Sequence, residues 1–359
     1  MKKQVLPALI LAAASLPALA QSNVVISGRA AGGIENYRLS GGLPAANGTV
    51  NQVSNNSSRI IFSGSEDLGN GLKAFFQVDA RFAIDTGEGG AFASGNTGVG
   101  LQGGFGKVSM GRWDLHYDQG KSLEKQRSLS DQTFSVEGML SQVNGTNIAR
   151  VSRSSNVIKY DTPNFSGFNG TVAYSSNPAA EDGAAAANAD KDGAYQVAAR
   201  YAAGPIDAGV SYWRHNVEGV TNNGDQRSIR GWLGYKFGGL NIGLVLDQSK
   251  RRPALDASFV KRTAWAIPVS YTFGQHSVHF HYAKAGDLKG DAPNLNTSAK
   301  QWMLGYEYAM SKRTSVGVNY VALSNASDAL YNPKGVRAGL QTAAGQDARQ
   351  LYAGIRHDF

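Results

Sequence analysis

Short runs that alternate apolar and polar residues recur along most of the chain. The clearest covers 71–83. There Leu72, Ala74, Phe76, Val78 and Phe82 point one way, and Lys73, Gln77, Asp79 and Arg81 the other. A two-residue period marks a β-strand with unlike faces. The same template predicts strands at 23–37, 58–65, 71–83, 97–104, 106–112, 155–162, 167–175, 193–203, 206–216, 227–237, 240–250, 260–273, 276–285, 299–309, 313–323 and 348–359. In the first, Val24 and Ile26 face out and Arg29 faces in. Pro268 lies inside the twelfth, where it predicts a bulge or a shifted register, because proline lacks the N–H that a ladder needs.

The connections fall into two kinds. Tight turns are predicted at 66–70, Gly204-Pro205, Gly238-Gly239, Gly274-Gln275 and Met310-Ser311-Lys312. Long connections include a Gly/Asn/Ser-rich loop after the first strand and an Ala/Asn-rich loop at 176–192. Runs of about ten residues, apolar outward and polar inward, are long enough to cross a bilayer when tilted. An even count, with short turns at one end and long loops at the other, predicts an all-β fold: a 16-stranded antiparallel transmembrane β-barrel. Its last strand would close on its first and remove the edges that lipid forbids. Sixteen faces this polar would bury too much charge for a soluble core. Tyr37, Tyr160, Phe168, Tyr174, Tyr235, Phe237, Tyr271, Phe273, Tyr306 and Tyr308 sit near strand ends, as interfacial girdles do. No second domain is visible in 21–359.

One stretch breaks the rhythm. Between Arg112 and Lys159 roughly forty residues carry no sustained alternation, and a loop that long within one domain is usually functional. It holds the acids Asp131 and Glu137 and is bracketed by Arg112, Arg150 and Arg153. The expectation is that this third long loop, 113–154, folds into the barrel and narrows it.

The two ends place the protein in the cell. Lys2 and Lys3 precede an apolar run, 5–19, that ends in Ala18-Leu19-Ala20. This pattern predicts a signal peptide over 1–20, with export through the periplasm and a mature chain from Gln21. The run is too short to span a membrane and contains Pro7 and Pro17. No apolar run of 18 residues follows, and the chain has no cysteine, which excludes disulfides and thiolate metal sites. Mean hydropathy is −0.29, which alone suggests a soluble protein. The final run contradicts it, with Leu351, Ala353, Ile355 and Phe359 on one face. A signal peptide with a terminal strand ending in Phe359 resembles a bacterial outer-membrane barrel, whose insertion machinery reads such an ending.

Several segments sharpen the resemblance. These are Ser58-Arg59-Ile60-Ile61-Phe62-Ser63-Gly64-Ser65-Glu66-Asp67-Leu68-Gly69, Gly71-Leu72-Lys73-Ala74, Gly111-Arg112, Asn156-Val157-Ile158-Lys159-Tyr160 and Gly354-Ile355-Arg356-His357-Asp358-Phe359. Together they resemble the general porins of Gram-negative bacteria, of the beta-proteobacterial type. The resemblance covers the whole mature chain. It implies a homotrimer in outer-membrane lipid and lipopolysaccharide, with the third loop as a constriction. It also implies a basic wall at Arg59, Arg112 and Arg153, extended by Arg81 and Lys159, facing the loop acids Asp131 and Glu137. Ser135-Val136-Glu137-Gly138 departs from the family's Pro-Glu-Phe-Gly-Gly-like tip. Ser27-Gly28-Arg29-Ala30-Ala31 replaces its Tyr-Gly-x-x-Asp, losing an acid and gaining a base.

Charge then suggests what such a pore passes. The formal charge is +8, or +6 without Lys2 and Lys3. Expected lumen bases are Arg29, Arg59, Lys73, Arg81, Lys107, Arg112, Arg153, Lys159, Arg200, Arg230 and Lys236; expected lumen acids are Asp79, Asp207, Asp247 and Glu307, plus those of the loop. The bases outnumber the acids, so a passive channel for ions and small hydrophilic solutes is expected to prefer anions. A substrate-specific porin of the same fold, or an adhesin or structural barrel, are the other readings. No enzyme, cofactor, metal site or nucleic-acid partner is expected. Gly98-Val99-Gly100-Leu101-Gln102-Gly103 matches a dinucleotide fingerprint in letters, but a strand follows it where a helix is needed. Asn188-Ala189-Asp190-Lys191-Asp192-Gly193 opens like a Ca²⁺ loop but has Ala199 in place of the closing Glu. His279 and His281 share a lumen face, where polar residues are expected anyway.

Overall fold

The computed structural model describes residues 23–42, 47–89, 92–124, 134–147, 153–178, 193–216, 225–252, 258–290, 294–334 and 342–359. The leader 1–20, Asp131, Arg150 and the Ca²⁺-like segment 188–192 lie outside them.

The strands are β1 (Asn23–Gly41), β2 (Gly48–Asn55), β3 (Arg59–Gly69), β4 (Leu72–Arg81), β5 (Thr97–Gly103), β6 (Gly106–Trp113), β7 (Gln142–Val143), β8 (Thr146–Asn147), β9 (Ser154–Asp161) and β10 (Phe168–Ser175). They continue as β11 (Ala194–Ala203), β12 (Ile206–His215), β13 (Gln226–Phe237), β14 (Leu240–Arg251), β15 (Val260–Phe273), β16 (His276–Ala285), β17 (Ala299–Ala309), β18 (Thr314–Asn325) and β19 (Gln346–Asp358). The strands from β3 to β6 and from β9 to β19 pair antiparallel with their neighbours, and β6 pairs with β9. β7 and β8 form a separate two-stranded hairpin. β19 closes on β1 from Arg29↔Asp358 to Gly41↔Gln346, so the sheet is a closed barrel.

The other edge of β1 carries two strands. Asn23 to Arg29 pair with β3, and Gly32 to Leu39 pair with β2. β2 and β3 are thus one wall strand broken at 56–58, and the ring has sixteen positions. At the break Ser57 takes a left-handed φ of 64°. Side chains replace the ladder there: Ala31 N–H donates to Ser58 Oγ at 3.0 Å, and that hydroxyl donates to Ala31 C=O at 3.2 Å. This corrects the sequence reading, which placed a loop over much of 38–57. Apart from Val53, the outward side chains of β2 are polar, with Asn36 donating to Asn51 across the pair, so too little apolar alternation marks the strand.

Two further expectations change. Pro268 makes neither a bulge nor a shift. The β14–β15 ladder lapses beside it, but Ile242↔Val269 and Val245↔Ala266 keep one register, and Pro268 still faces His281 on β16. Tyr37, expected in a girdle, is buried on the inner face. The turn after β3 is Asn70-Gly71, both at positive φ (51° and 77°), as a two-residue hairpin of matching twist requires.

The faces are inverted relative to a soluble protein. On β13, Ile229, Leu233 and Tyr235 are exposed while Gln226, Ser228 and Arg230 are buried. Apolar side chains outside and polar ones inside suit a barrel surrounded by lipid. No helix among the described residues is long and apolar enough to cross a membrane, and the strands do the crossing.

Candidate functional site

The described parts of the segment between β6 and β9, 114–124 and 134–147, pack inside the ring, far from where it starts. Around the barrel, β6 and β9 are the fifth and sixth wall strands, whereas β13 to β17 are the tenth to fourteenth. Short helix α1 (Glu137–Leu140) lies against β15, β16 and β17. Phe134, Val136, Met139 and Leu140 are buried with Trp232, Val245, Ala264, Ala266, Ala283 and Met303 from the inner faces of that wall. These described loop residues are therefore held against the inner wall opposite β6's own side of the ring.

Two buried arginines hold these residues. Arg230 on β13 donates to the carbonyls of Tyr117 and Gln119 (3.1 and 3.2 Å), to Glu137 Oε1 (3.0 Å) and to Ser141 Oγ (3.2 Å). Arg262 on β15 donates to the Leu140 carbonyl (2.7 Å) and, through Nε, to the Gln142 carbonyl (2.9 Å). Asp247, between them on β14, accepts from both, at 3.0 and 3.1 Å. Ser141 Oγ donates to the second oxygen of Glu137. The two cations meet two carboxylates, which is the condition for keeping such charges out of water.

Two more titratable loop groups are enclosed nearby. His116 is bonded through both ring nitrogens, to Ser211 Oγ at 2.8 Å and Ser228 Oγ at 2.9 Å. Burial, reinforced by the Arg230 charge, lowers its pKa to about 3. Glu124 Oε2 accepts from Val136 N–H at 3.4 Å. Burial, reinforced by the Glu137 charge, pushes its carboxyl up to about 7.

Across the ring, on the first three wall positions, the basic residues line up. Arg29, Arg59 and Arg81 are direct cross-strand partners on β1, β3 and β4. Like charges side by side repel, and carboxylates interleave with them. Asp79 accepts from Arg81 at 3.0 Å and lies 3.8 Å from Arg59. Asp358, opposite Arg29 on β19, accepts from Arg29 at 3.0 Å and from Arg356 at 2.9 Å. Among the described residues, these two aspartates interleave with four arginines.

The other expected site residues fall in different places. Lys159 faces inward, 3.0 Å from Asp161 and 5.3 Å above the Trp113 ring centroid. Arg153 lies 3.6 Å from Asp114 and so ties together the two ends of the loop. Glu137 is not a free acid in the gap; it is 1% exposed and paired with Arg230. Arg112 points outward. Along β6, Lys107, Ser109 and Trp113 face in, while Val108 and Met110 are exposed to the outside. Arg112 donates to Ser155 Oγ at 2.7 Å and lines an outer cavity with Phe76, Val99, Met110 and Ile158. Phe359 sits at the barrel seam, where its N–H donates to Gly28 C=O and its C=O accepts from Gly28 N–H. Arg262, His116, Glu124 and Asp114 did not stand out in the sequence. Only Arg262 carried a signal, since it shares the inward parity of Ala264 and Ala266.

A closed barrel with an apolar exterior, a charged interior and loop residues packed on its inner wall defines a pore-forming protein of the outer membrane. The profile of the Gram-negative porins matches residues 8–328, and the chain belongs to that family. Major outer membrane protein P.IB of Neisseria meningitidis serogroup B is 30% identical over 367 residues, covering all of both chains. Outer membrane porin protein 32 of Delftia acidovorans is 30% identical over 382 residues, again covering all of both. Among solved structures, the anion-selective porin from Comamonas acidovorans superimposes with a TM-score of 0.76 at 26% identity, covering 94% of this chain and 100% of that one. OmpT of Vibrio cholerae shares the fold at 14% identity, with a TM-score of 0.67. The protein is an outer-membrane porin, a water-filled channel through which small hydrophilic solutes diffuse.

Proposed function

We propose that this channel prefers anions and that its narrowest part lies between the strip Arg29–Arg59–Arg81 and the loop 113–154. The observation that carries the reading is the strip itself: three guanidiniums in register on adjacent strands, on the wall opposite the one the loop packs on. Low-dielectric walls focus the field of such a strip across a narrow gap. An anion is drawn along the strip, a cation is repelled, and an apolar solute must displace oriented water. Lys159 and Arg153 are each paired with an aspartate, farther round the ring, and add little to it. Arg112 is omitted because it faces outward, and Glu137 because Arg230 neutralises it. Asp131 remains the loop acid proposed to face the strip. The positive net charge and the anion-selective porin at 26% identity support the same preference.

The test is the reversal potential of the purified channel in a KCl gradient. A guanidinium some 8 Å from a passing ion, at an effective dielectric of about 40, is worth on the order of 1 kcal/mol, about fivefold in relative occupancy. Arg59→Ser with Arg81→Ser should therefore raise conductance and lower the anion-to-cation permeability ratio several-fold. Arg112→Ser should leave that ratio unchanged. A cation preference in the unmodified channel would overturn the reading. We also propose that the leader 1–20 is removed on export and that insertion machinery reads the strand ending in Phe359. On the same reading the chain assembles as a homotrimer among outer-membrane lipid and lipopolysaccharide. The family resemblance supports each of these.

A further inference from the structure

A second basic cluster lies away from the arginine strip, beside the tight turns. Lys73 on β4, Gln102 on β5 and Lys107 on β6 are consecutive cross-strand partners, with Lys73↔Gln102 and Gln102↔Lys107 in direct register. All three belong to the inward faces of their strands. They line a cavity of about 400 Å³ together with Gly71, Gly106 and Thr162. Gly71 belongs to the turn after β3 and Gly106 follows the turn at 104–105, so the cavity opens at the short-turn end of the pore, the periplasmic end of an outer-membrane barrel.

What distinguishes the cluster is its lack of compensation. Arg29, Arg59, Arg81, Arg153, Lys159 and Arg200 each have a carboxylate within 4 Å. Among the described residues, Lys73 and Lys107 have none. The acids nearest in register are committed elsewhere. Asp161, the partner of Lys107 on β9, lies 3.0 Å from Lys159 and accepts from Thr171 Oγ1 at 2.7 Å. Asp67, the partner of Lys73 on β3, accepts from Gly69 N–H at 2.8 Å. Lys107 Nζ instead rests 4.1 Å above the Phe75 ring centroid, which positions the ammonium without neutralising it. The Gln102 carboxamide makes no side-chain hydrogen bond among the described residues. Two lysines and a glutamine thus line one cavity, with no carboxylate within 4 Å of either lysine among the described residues.

We propose that this cavity is a saturable binding site for a compact multiply charged oxyanion of the inorganic phosphate class, held by Lys73 and Lys107 with Gln102 between them. Lysine ammoniums are point charges on adaptable stems and can close on a small oxyanion from two sides, whereas a planar carboxylate is better matched by an arginine fork. The cavity faces the lumen, away from lipid headgroups, so its ligand is a dissolved anion. The site rests on the pore reading but not on the arginine strip. It would retain dianions at the periplasmic mouth and so compete with chloride flux.

The test uses purified channels in planar bilayers at fixed KCl, with potassium phosphate added to one side or the other at constant ionic strength. Chloride current should fall saturably, at a lower phosphate concentration from the short-turn side. Lys73→Gln with Lys107→Gln should raise the half-blocking concentration by about tenfold per lysine removed. Gln102→Glu, which places a carboxylate between the two ammoniums, should abolish the block while keeping the strand intact. The chloride reversal potential, read in the same bilayers, reports the arginine strip separately. A phosphate effect that is linear, or that is unchanged in both variants, would overturn the site even where anion preference persists. Loss of anion preference with the block retained would instead overturn the arginine reading alone.

Discussion

Arg230 shows how one side chain can fix a loop. It is 1% exposed and reaches two loop carbonyls, Glu137 and Ser141, while also binding Asp247 on the adjacent strand. Removing one partner of a buried ionic cluster costs about 3–5 kcal/mol, because the remaining charges stay buried and uncompensated. Arg230→Met strands Glu137 in this way and leaves Asp247 with Arg262 alone. The variant should still form a barrel, since the wall's ladder does not use the guanidinium. Its loop should be cut by protease faster than the wild-type loop, and its current should be noisier; equal cleavage rates would show that Arg230 does not anchor the loop. At this scale the sequence was legible in part. Alternation placed Arg29, Arg59 and Arg81 inside, where they are found. Lys107 and Arg112 were both expected inside, yet an odd spacing of five residues puts them on opposite faces of a regular strand. There a motif match overrode the period that should have governed. Glu137 was identified as a loop acid, but its partner, Arg230, is 93 positions away, and no local pattern reports such a pairing.

Among elements, the strands were legible wherever lipid requires an apolar face and were lost where it does not. The upper part of β1 and the first half of β2 carry the outward residues Asn36, Arg38, Thr49 and Asn51, and Val53 alone is too short a signal for a lipid-facing strand. The loop was visible only as a lapse of that pattern, because its order comes from long-range bonds. Those bonds make it sensitive to pH in two directions. Glu124 has its pKa raised from 4.5 to about 7 by burial and the Glu137 charge. Its ionisation therefore works against the packed loop, increasingly as pH rises through that window. His116 has its pKa lowered from 6.5 to about 3. Keeping it neutral and buried therefore costs packing as pH falls below 6.5. The loop should be quietest between these limits. Single-channel current should be less noisy at about pH 5.5 than at pH 8, on the ordinary carboxylate and imidazole scale. Glu124→Gln should remove the rise at high pH and leave the acid side unchanged. Persistence of the high-pH noise in that variant would assign it to another group.

On the scale of the whole molecule, everything depends on closure. An open sheet in hydrocarbon would leave two rows of backbone donors and acceptors without water, at several kcal/mol for each unsatisfied group. β1 and β19 prevent this with a ladder running from Arg29↔Asp358 to Gly41↔Gln346. At its end the paired bonds between Gly28 and Phe359, 2.9 and 3.1 Å long, continue the seam. Gly28 has no room for a side chain: a Cβ there would lie 2.4 Å from the Arg59 carbonyl oxygen and 2.6 Å from the Phe359 ring. The carbonyl belongs to the wall strand on one side of β1 and the ring to the chain end on the other, so a substituent would push both apart where the ring must meet. Gly28→Val should therefore lower the yield of closed barrel more than it lowers synthesis. The measurement is the fraction of outer-membrane protein that runs compactly on an unheated gel and shifts on boiling. Phe359→Leu added to Gly28→Val separates the two contacts, because it shortens the ring side and leaves the carbonyl. Recovery of the compact band would assign the defect to the ring, and no recovery would assign it to the backbone of β3. A normal compact band in Gly28→Val itself would show that the seam tolerates the wider spacing.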